Sequence, residues 1–245
     1  MLEKGFNQYI REIRIERKDN MQAVDYPFSL EAVRSLKKLE LHPNVTFIIG
    51  ENGSGKSTLL EGIAVALGFN PEGGSMNIRF STEDTHSELY ESIKISRGTI
   101  RPKDGFFLRA ESFYNLASSI DRVGDGTIAG YGGVSLHEQS HGESFMSLLI
   151  NRLGGRGLYI FDEPEAALSP SRQMALLRCI HDLVKADSQL IIATHSPIIM
   201  AYPHATIYRV DQGYQVMKYC ETEHFLLMRD FLNNHERMVE LLLED

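Results

Sequence analysis

A chain of 245 residues with 42% hydrophobic and 24% charged residues is long enough to bury a sizeable core and has a globular composition. Its net charge of −8 and pI near 5.6 argue against a broadly basic nucleic-acid coat, while leaving room for a local patch. Cys179 and Cys220 stand far apart with no ligand partner nearby, so neither a disulfide framework nor a metal clip is expected.

The N-terminal stretch MLEKGFNQYIREIRIERKD mixes charges throughout and has no apolar core of the kind a signal peptide needs. No run approaches the ~18 apolar residues of a membrane span. A soluble, cytoplasmic protein is the expectation.

Tyr9–Glu16 and Val45–Gly50 read as strands, and Ser57–Leu67 as a helix with little polar surface, hence buried. SMNIRFS (75–81), SIKISR (92–97) and GFFLRAE (105–111) are short strand-like pieces that predict a small antiparallel lobe. A glycine-containing loop leads to a helix over Gly142–Leu153. GLYIFDEPE (157–165) is an apolar strand ending in acids. Ser169 then suits an N-cap and Pro170 the first position of a helix reaching about Lys185. QLIIATHSP (189–197) is a second apolar strand, with Ser196-Pro197 opening a short helix. Strands at Thr206–Val210 and Tyr214–Met217 and two helices end the chain. The last helix, HERMVELLLED, has leucines at helical spacing and reads as a packing helix, with a partner-docking element as the alternative.

Short apolar strands alternating with helices predict an α/β fold, a mainly parallel sheet covered on both faces. The expected organisation is a single domain over 1–245, with the small lobe and a helical region at about 75–155 inserted in its core.

GENGSGKS, Gly50–Ser57, matches G-x-x-x-x-G-K-[ST] between a β-branched strand and a helix. Its glycines let backbone N–H groups converge on an anion at the helix's positive end. Lys56 can reach outer phosphates and Ser57 can ligate Mg²⁺, which makes the chain a P-loop NTPase candidate. In LYIFDE, Asp162 and Glu163 sit at the strand's carboxyl end, where ligands bind in open parallel sheets. Asp162 suits metal holding, and Glu163 suits a general base or water-orienting group.

These motifs, with EAALSP (165–170), IIATHS (191–196) and QSHGES (139–144), resemble an ABC-type ATPase over nearly the whole chain. The resemblance implies that Asn52, Gly53, Ser54, Gly55, Lys56, Ser57 and Thr58 cradle ATP and its metal. It implies that Asp162 holds Mg²⁺, that Glu163 acts on the attacking water, and that His195 senses the γ-phosphate. It further implies a head-to-tail homodimer formed on ATP binding, in which Ser140, His141, Gly142 and Glu143 complete the partner's site. Ala167 and Leu168 would lie at that interface. Glu111 is the nearest candidate for the family's metal-contacting glutamine. Tyr9 and Tyr26 are alternatives for stacking on the base, each read first as a packing residue.

His141 replaces the first signature glycine, and Glu143 stands where transporters usually carry glutamine. That tilts the resemblance toward SMC-type and recombination-repair heads. Only 84 positions separate Lys56 from Ser140, and no sustained heptads occur, so the chain is similar to small bacterial heads without a coiled-coil arm. The implied role is ATP-driven work on DNA, a nucleoprotein or a further protein partner, in repair or defence. A transporter's nucleotide-binding subunit and a non-hydrolysing assembly switch are the alternatives. Lys94, Arg97, Arg101, Lys103 and Arg109 against Asp104 form a candidate phosphate-facing patch, with a solvated sheet face as the blander reading.

Overall fold

The computed structural model describes residues 8–16, 25–76, 87–113, 118, 137 and 141–244. Its strands are β1 (Ile10–Ile15), β2 (Lys38–Glu40), β3 (Val45–Ile49), β4 (Gly74–Ser75), β5 (Ile93–Arg97), β6 (Asp104–Arg109), β7 (Gly157–Asp162), β8 (Gln189–Ala193), β9 (Ala205–Arg209) and β10 (Gln215–Met217). Its helices are α1 (Glu31–Arg34), α2 (Lys56–Leu67), α3 (Leu89–Ser92), α4 (His141–Arg152), α5 (Pro170–Lys185), α6 (Pro197–Met200), α7 (Glu223–Asn233) and α8 (His235–Leu243), with a 3₁₀ turn at Pro164–Ala167.

The main sheet runs β10-β9-β3-β8-β7-β6-β4. Its five central strands are parallel, and the two edge strands are antiparallel to their neighbours. The apolar runs VTFII, GLYIFD and QLIIA show no polar alternation because both faces are covered. The pleat still sorts them. Phe47, Ile49, Tyr159, Phe161, Leu190 and Ile192 join one core, beneath α4, α5 and α6. Ile48, Leu158, Ile160, Ile191 and Ala193 join the other, beneath α2. A one-residue slip of register would exchange the two layers.

A second, antiparallel sheet runs β2-β1-β5. This corrects part of the sequence expectation, since only SIKISR of the three predicted pieces enters it. GFFLRAE instead forms β6, parallel to β7 with Phe106 opposite Tyr159. The reason is burial: Gly105–Leu108 is buried throughout, so it needs cover on both faces, whereas β5 buries only its start. Of the first piece, Ser75 ends β4, and residues 77–86 lie outside the described residues.

Gln189, wholly buried at the start of β8, joins the two sheets. Its Oε1 accepts from the backbone N–H groups of Tyr9 (3.0 Å) and Ile10 (2.9 Å), and its Nε2 donates to the carbonyls of Ile10 (2.8 Å) and His42 (3.0 Å). Ser196 caps α6 as expected, accepting from Ile198 N and Ile199 N at 3.2 Å each. Ser169 holds the N-cap position of α5, but its hydroxyl makes no cap bond and lies 3.1 Å from that of Ser171. The final helix departs from the packing-helix expectation: Leu241, Leu242 and Leu243 are 60%, 74% and 76% exposed. None of the described helices is long and apolar enough to cross a membrane.

Candidate functional site

Because the five central strands run the same way, their carboxyl ends gather Gly50, Arg109, Glu163, Thr194 and Val210 along one edge of the sheet, the edge where open α/β folds bind ligands. The loop after β3 is shaped by close packing. Gly55 adopts φ 93°, and a Cβ there would lie 2.8 Å from Leu30 Cβ. Ala32 N donates to the Ser54 carbonyl at 2.8 Å, so segment 25–34 clamps the loop. Lys56, 3% exposed, donates through Nζ to the carbonyls of Gly50 (3.0 Å) and Glu51 (2.8 Å). Burial holds its pKa below the ordinary lysine value, against the opposing pull of Glu163 and Asp162. The buried Ser54 Oγ, in the same loop, has no hydrogen-bond partner.

Ser57, in the first turn of α2, donates through Oγ to Asp162 Oδ1 at 3.1 Å. Asp162 ends β7 almost fully buried, and burial pushes its pKa up to about 6 against the lowering effects of Arg109 and Ser57. Arg109 Nε lies 3.8 Å from Asp162 Oδ2, and its Nη1 donates to Glu61 Oε2 at 2.6 Å. Ser57, Glu111, Asp162 and Glu163 line one cavity of about 150 Å³. Hard oxygen donors around a small space suit Mg²⁺, which takes few protein ligands and completes its shell with water and phosphate. Among the described residues, no cluster of three or more His, Cys, Asp or Glu is arranged to hold a metal alone.

Glu163 follows in the left-handed region at φ 49°, ψ 52°, a conformation costing a non-glycine residue about 1–3 kcal/mol. Its N–H donates to the Ala193 carbonyl at 3.0 Å, which fixes the turn against β8. The carboxylate lies 3.4 Å from His195 Nε2, and His195 holds it below the usual glutamate range. Glu165 Oε1 accepts from the backbone N–H groups of His195 and Ser196, the second at 3.2 Å. His195 Nδ1 in turn lies 3.0 Å from Nε2 of His224, in the first turn of α7. A second cavity, about 260 Å³, runs from Gly50, Glu51 and Asn52 past His195 to Arg209 and His224.

The fold thus brings Lys56, Ser57, Glu111, Asp162, Glu163 and His195 to one edge, Glu111 with its side chain 84% exposed. Asn52 and Gly53 are exposed at the loop tip, and Thr58 is half-buried behind it. Ser140 lies outside the described residues, as does the side chain of His141. Gly142 is buried, and a Cβ there would meet Arg172 Nη1 at 2.2 Å and the Ala167 carbonyl at 3.0 Å. Glu143 lies 3.5 Å from Arg172 Nη2, so this helix start packs on the segment after β7. Tyr9 is a packing residue whose hydroxyl donates to the Asp187 carbonyl. Tyr26 is 67% exposed. Arg109 leaves the proposed basic patch for the site, while Lys94, Arg97, Arg101 and Lys103 stay exposed. Sequence reasoning missed Glu61, Glu165 and His224. Only Glu165 left a trace, two positions beyond Glu163.

A parallel sheet with a lysine-bearing anion loop at its carboxyl edge defines a P-loop NTPase. A family profile described as "AAA domain" matches residues 28–128, and one described as "AAA domain, putative AbiEii toxin, Type IV TA system" matches residues 129–201. An "Uncharacterized ABC transporter ATP-binding protein" of Haemophilus influenzae is 25% identical over 215 residues, 80% of each chain. Protein ea59 of Escherichia phage lambda is 40% identical over 70 residues, 26% of this chain and 13% of that protein's length. Among solved structures, cbiO1 from Clostridium perfringens, part of the ABC transporter complex cbiONQ, superposes with a TM-score of 0.48 at 18% identity, covering 96% of this chain and 99% of that one. The two AAA-domain profiles adjoin over residues 28–201, and the relative that matches 80% of the chain is named as an ABC transporter ATP-binding protein.

Proposed function

We propose that the protein hydrolyses ATP with Mg²⁺ as a head-to-tail homodimer and uses the cycle to act on DNA or a nucleoprotein, in repair or defence, within the cytoplasm. One observation carries this reading: Lys56, Ser57, Asp162, Glu163 and His195 converge from three strands on one edge. The loop's N–H groups and Lys56 would bind the phosphates, Lys56 exchanging its carbonyl partners for phosphate oxygens. Ser57 and Asp162, with Glu111 beside them, would hold Mg²⁺, which supplies charge neutralisation at the β- and γ-phosphate oxygens.

Glu163, ionised and aimed by the turn it strains, would accept the proton of the attacking water. The water oxygen bonds to the γ-phosphorus, the bridging bond to the β-phosphate breaks, and ADP leaves with that electron pair. Ser140, His141, Gly142 and Glu143 of one protomer would close the other's site. The exposed Lys94, Arg97, Arg101 and Lys103 favour a phosphate-bearing partner over a neutral one.

Glu163→Gln tests the reading. The variant should bind ATP like the parent, lose hydrolysis by about 100-fold or more, and accumulate as a dimer by light scattering with ATP and Mg²⁺. A monomer under those conditions, or unchanged turnover, would remove the sandwich or the base assignment respectively.

A further inference from the structure

The contact between His195 and His224 is not accounted for by phosphate binding or by water activation. His224 comes from α7, which follows the sheet in the chain, and reaches back over the site. Thr222 is wholly buried and caps α7, its Oγ1 accepting from Phe225 N at 3.4 Å, so His224 is presented from an anchored turn. The two ring nitrogens are 3.0 Å apart, and the ring centroids lie 5.2 Å apart at 56°. That is the geometry of an edge-to-edge hydrogen bond, not of a stack.

We propose that His224 is a positioning residue: it donates its Nε2–H to His195 Nδ1 and so holds the proton of His195 on Nε2, the atom that faces Glu163. The inference rests on the ATPase reading above and adds to it what sets the orientation and tautomer of the histidine.

The chemistry runs from the carboxylate outward. Glu163 is acceptor-only when ionised, and His195 Nε2, buried 3.4 Å from it without a hydrogen-bond partner, faces that carboxylate more favourably as an N–H than as a bare lone pair. A neutral His195 with hydrogen on Nε2 has a bare Nδ1, which needs a donor. His224 Nε2 is the atom placed to supply one. Burial, His195, Lys56 and Arg209 all favour the neutral form of His224, against Glu223, so it has a single N–H to give. Its Nδ1 is buried without a partner in either tautomer, so the contact with His195 decides between them: a proton moved to Nδ1 would set the bare His224 Nε2 against the bare His195 Nδ1. The backbone of His195 is already fixed by Glu165, which leaves the ring's rotation and tautomer as the free variables. A partner on the second ring nitrogen is the general means of fixing both.

The test compares His224→Gln, His224→Asn and His224→Phe with the parent. Glutamine places an N–H donor near the Nε2 position, asparagine places its amide near Nδ1, and phenylalanine keeps the ring shape with no donor. Expected are kcat near the parental value for Gln and a fall of about tenfold for Asn and Phe, with KM for ATP unchanged in all three. Equal rates for Gln and Asn would overturn the proposal, and so would a parental kcat for Phe. Long-range ¹⁵N–¹H NMR of the imidazoles, without nucleotide, gives a readout that needs no turnover. It should show His195 protonated on Nε2 in the parent and in Gln, and a mixture of tautomers in Asn. The same mixture in the parent would also overturn it. If the parent shows the expected tautomer yet no ATP hydrolysis, the ATPase reading falls and the positioning contact stands.

Discussion

The phosphate loop borders the same cavity as α7, the first of the C-terminal helical pair, and the loop and the pair are built in opposite ways. The loop between β3 and α2 is over-determined: Gly55 is pressed on Leu30, Ser54 is tied to Ala32, and Leu59, Leu60, Ile63 and Ala64 of α2 are wholly buried behind it. The α7–α8 pair buries little. Leu227, Leu232, Leu241 and Leu242 are 60% exposed or more, and the pair reaches the site through His224. An anion cradle gains from rigidity because its N–H groups must already point inward when the phosphate arrives. An element that adjusts one ring beside a carboxylate needs only an anchored end, which Thr222 supplies.

The sharpest way to break that contrast is Lys56→Ala. If the loop is the binding element, the substitution removes the one buried ammonium within it, and ATP affinity measured by calorimetry should fall by about 100-fold or more. The buried α2 should keep the fold intact by circular dichroism. Unchanged affinity would mean that phosphates bind elsewhere, and the difference between the two regions would lose its functional meaning.

Much of the rigid region was legible in the sequence because rigidity here is local. A β-branched run, three spaced glycines, a lysine and a helix follow within about two turns of chain, and each has a backbone reason to be where it is. The acids of β7 and the histidine after β8 were legible for the same reason. The misplaced elements involve long-range pairing. β5, IKISR, alternates apolar and polar residues while β6 carries the continuous run GFFL, so the local pattern separates one covered face from two, but nothing within five residues names the partner strand. Arg109 was counted with a surface patch because charge runs carry no depth information; the strand it ends happens to lie beside β7. His224 lies 29 positions from His195, and no periodicity links an α7 residue to a loop after β8.

A smaller effect sharpens the comparison from the metal side. Asp162 ionises near 3.8 in an unfolded chain and near 6 in the fold. Between those values the folded protein binds the proton more tightly, so raising the pH through this window withdraws stability that the protonated form has. Asp162→Asn carries no charge at any pH. In EDTA and without nucleotide, the variant should therefore be more stable than the parent at pH 7.5 by about 1–3 kcal/mol, and the difference should close below about pH 4. Parallel melting curves at both pH values would show that burial of this carboxylate imposes no cost. The expected result says that the site stores strain that a bound cation relieves, while Mg²⁺-dependent hydrolysis by the variant is lost.

The smallest expected effect falls on the other region and is the most discriminating. Leu242 is 74% exposed on α8, in a groove lined by Leu227, Met228, Phe231, Met238 and Leu241. If the helical pair contributes little to the fold, Leu242→Gln should shift stability by no more than about 0.5 kcal/mol, the usual range for an exposed site. It should leave the kcat for ATP hydrolysis at the parental value, because Thr222 anchors the start of α7, although His195 and His224 line the same groove as Leu242. Binding of an apolar dye to the isolated protein should fall, since the groove loses part of its apolar wall. A stability loss approaching the 2–5 kcal/mol typical of a buried leucine truncation would show instead that α8 packs as a core element. In that case the sequence reading of HERMVELLLED as a packing helix would be restored, and the contrast between a rigid cradle and a loosely seated adjuster would have to be given up.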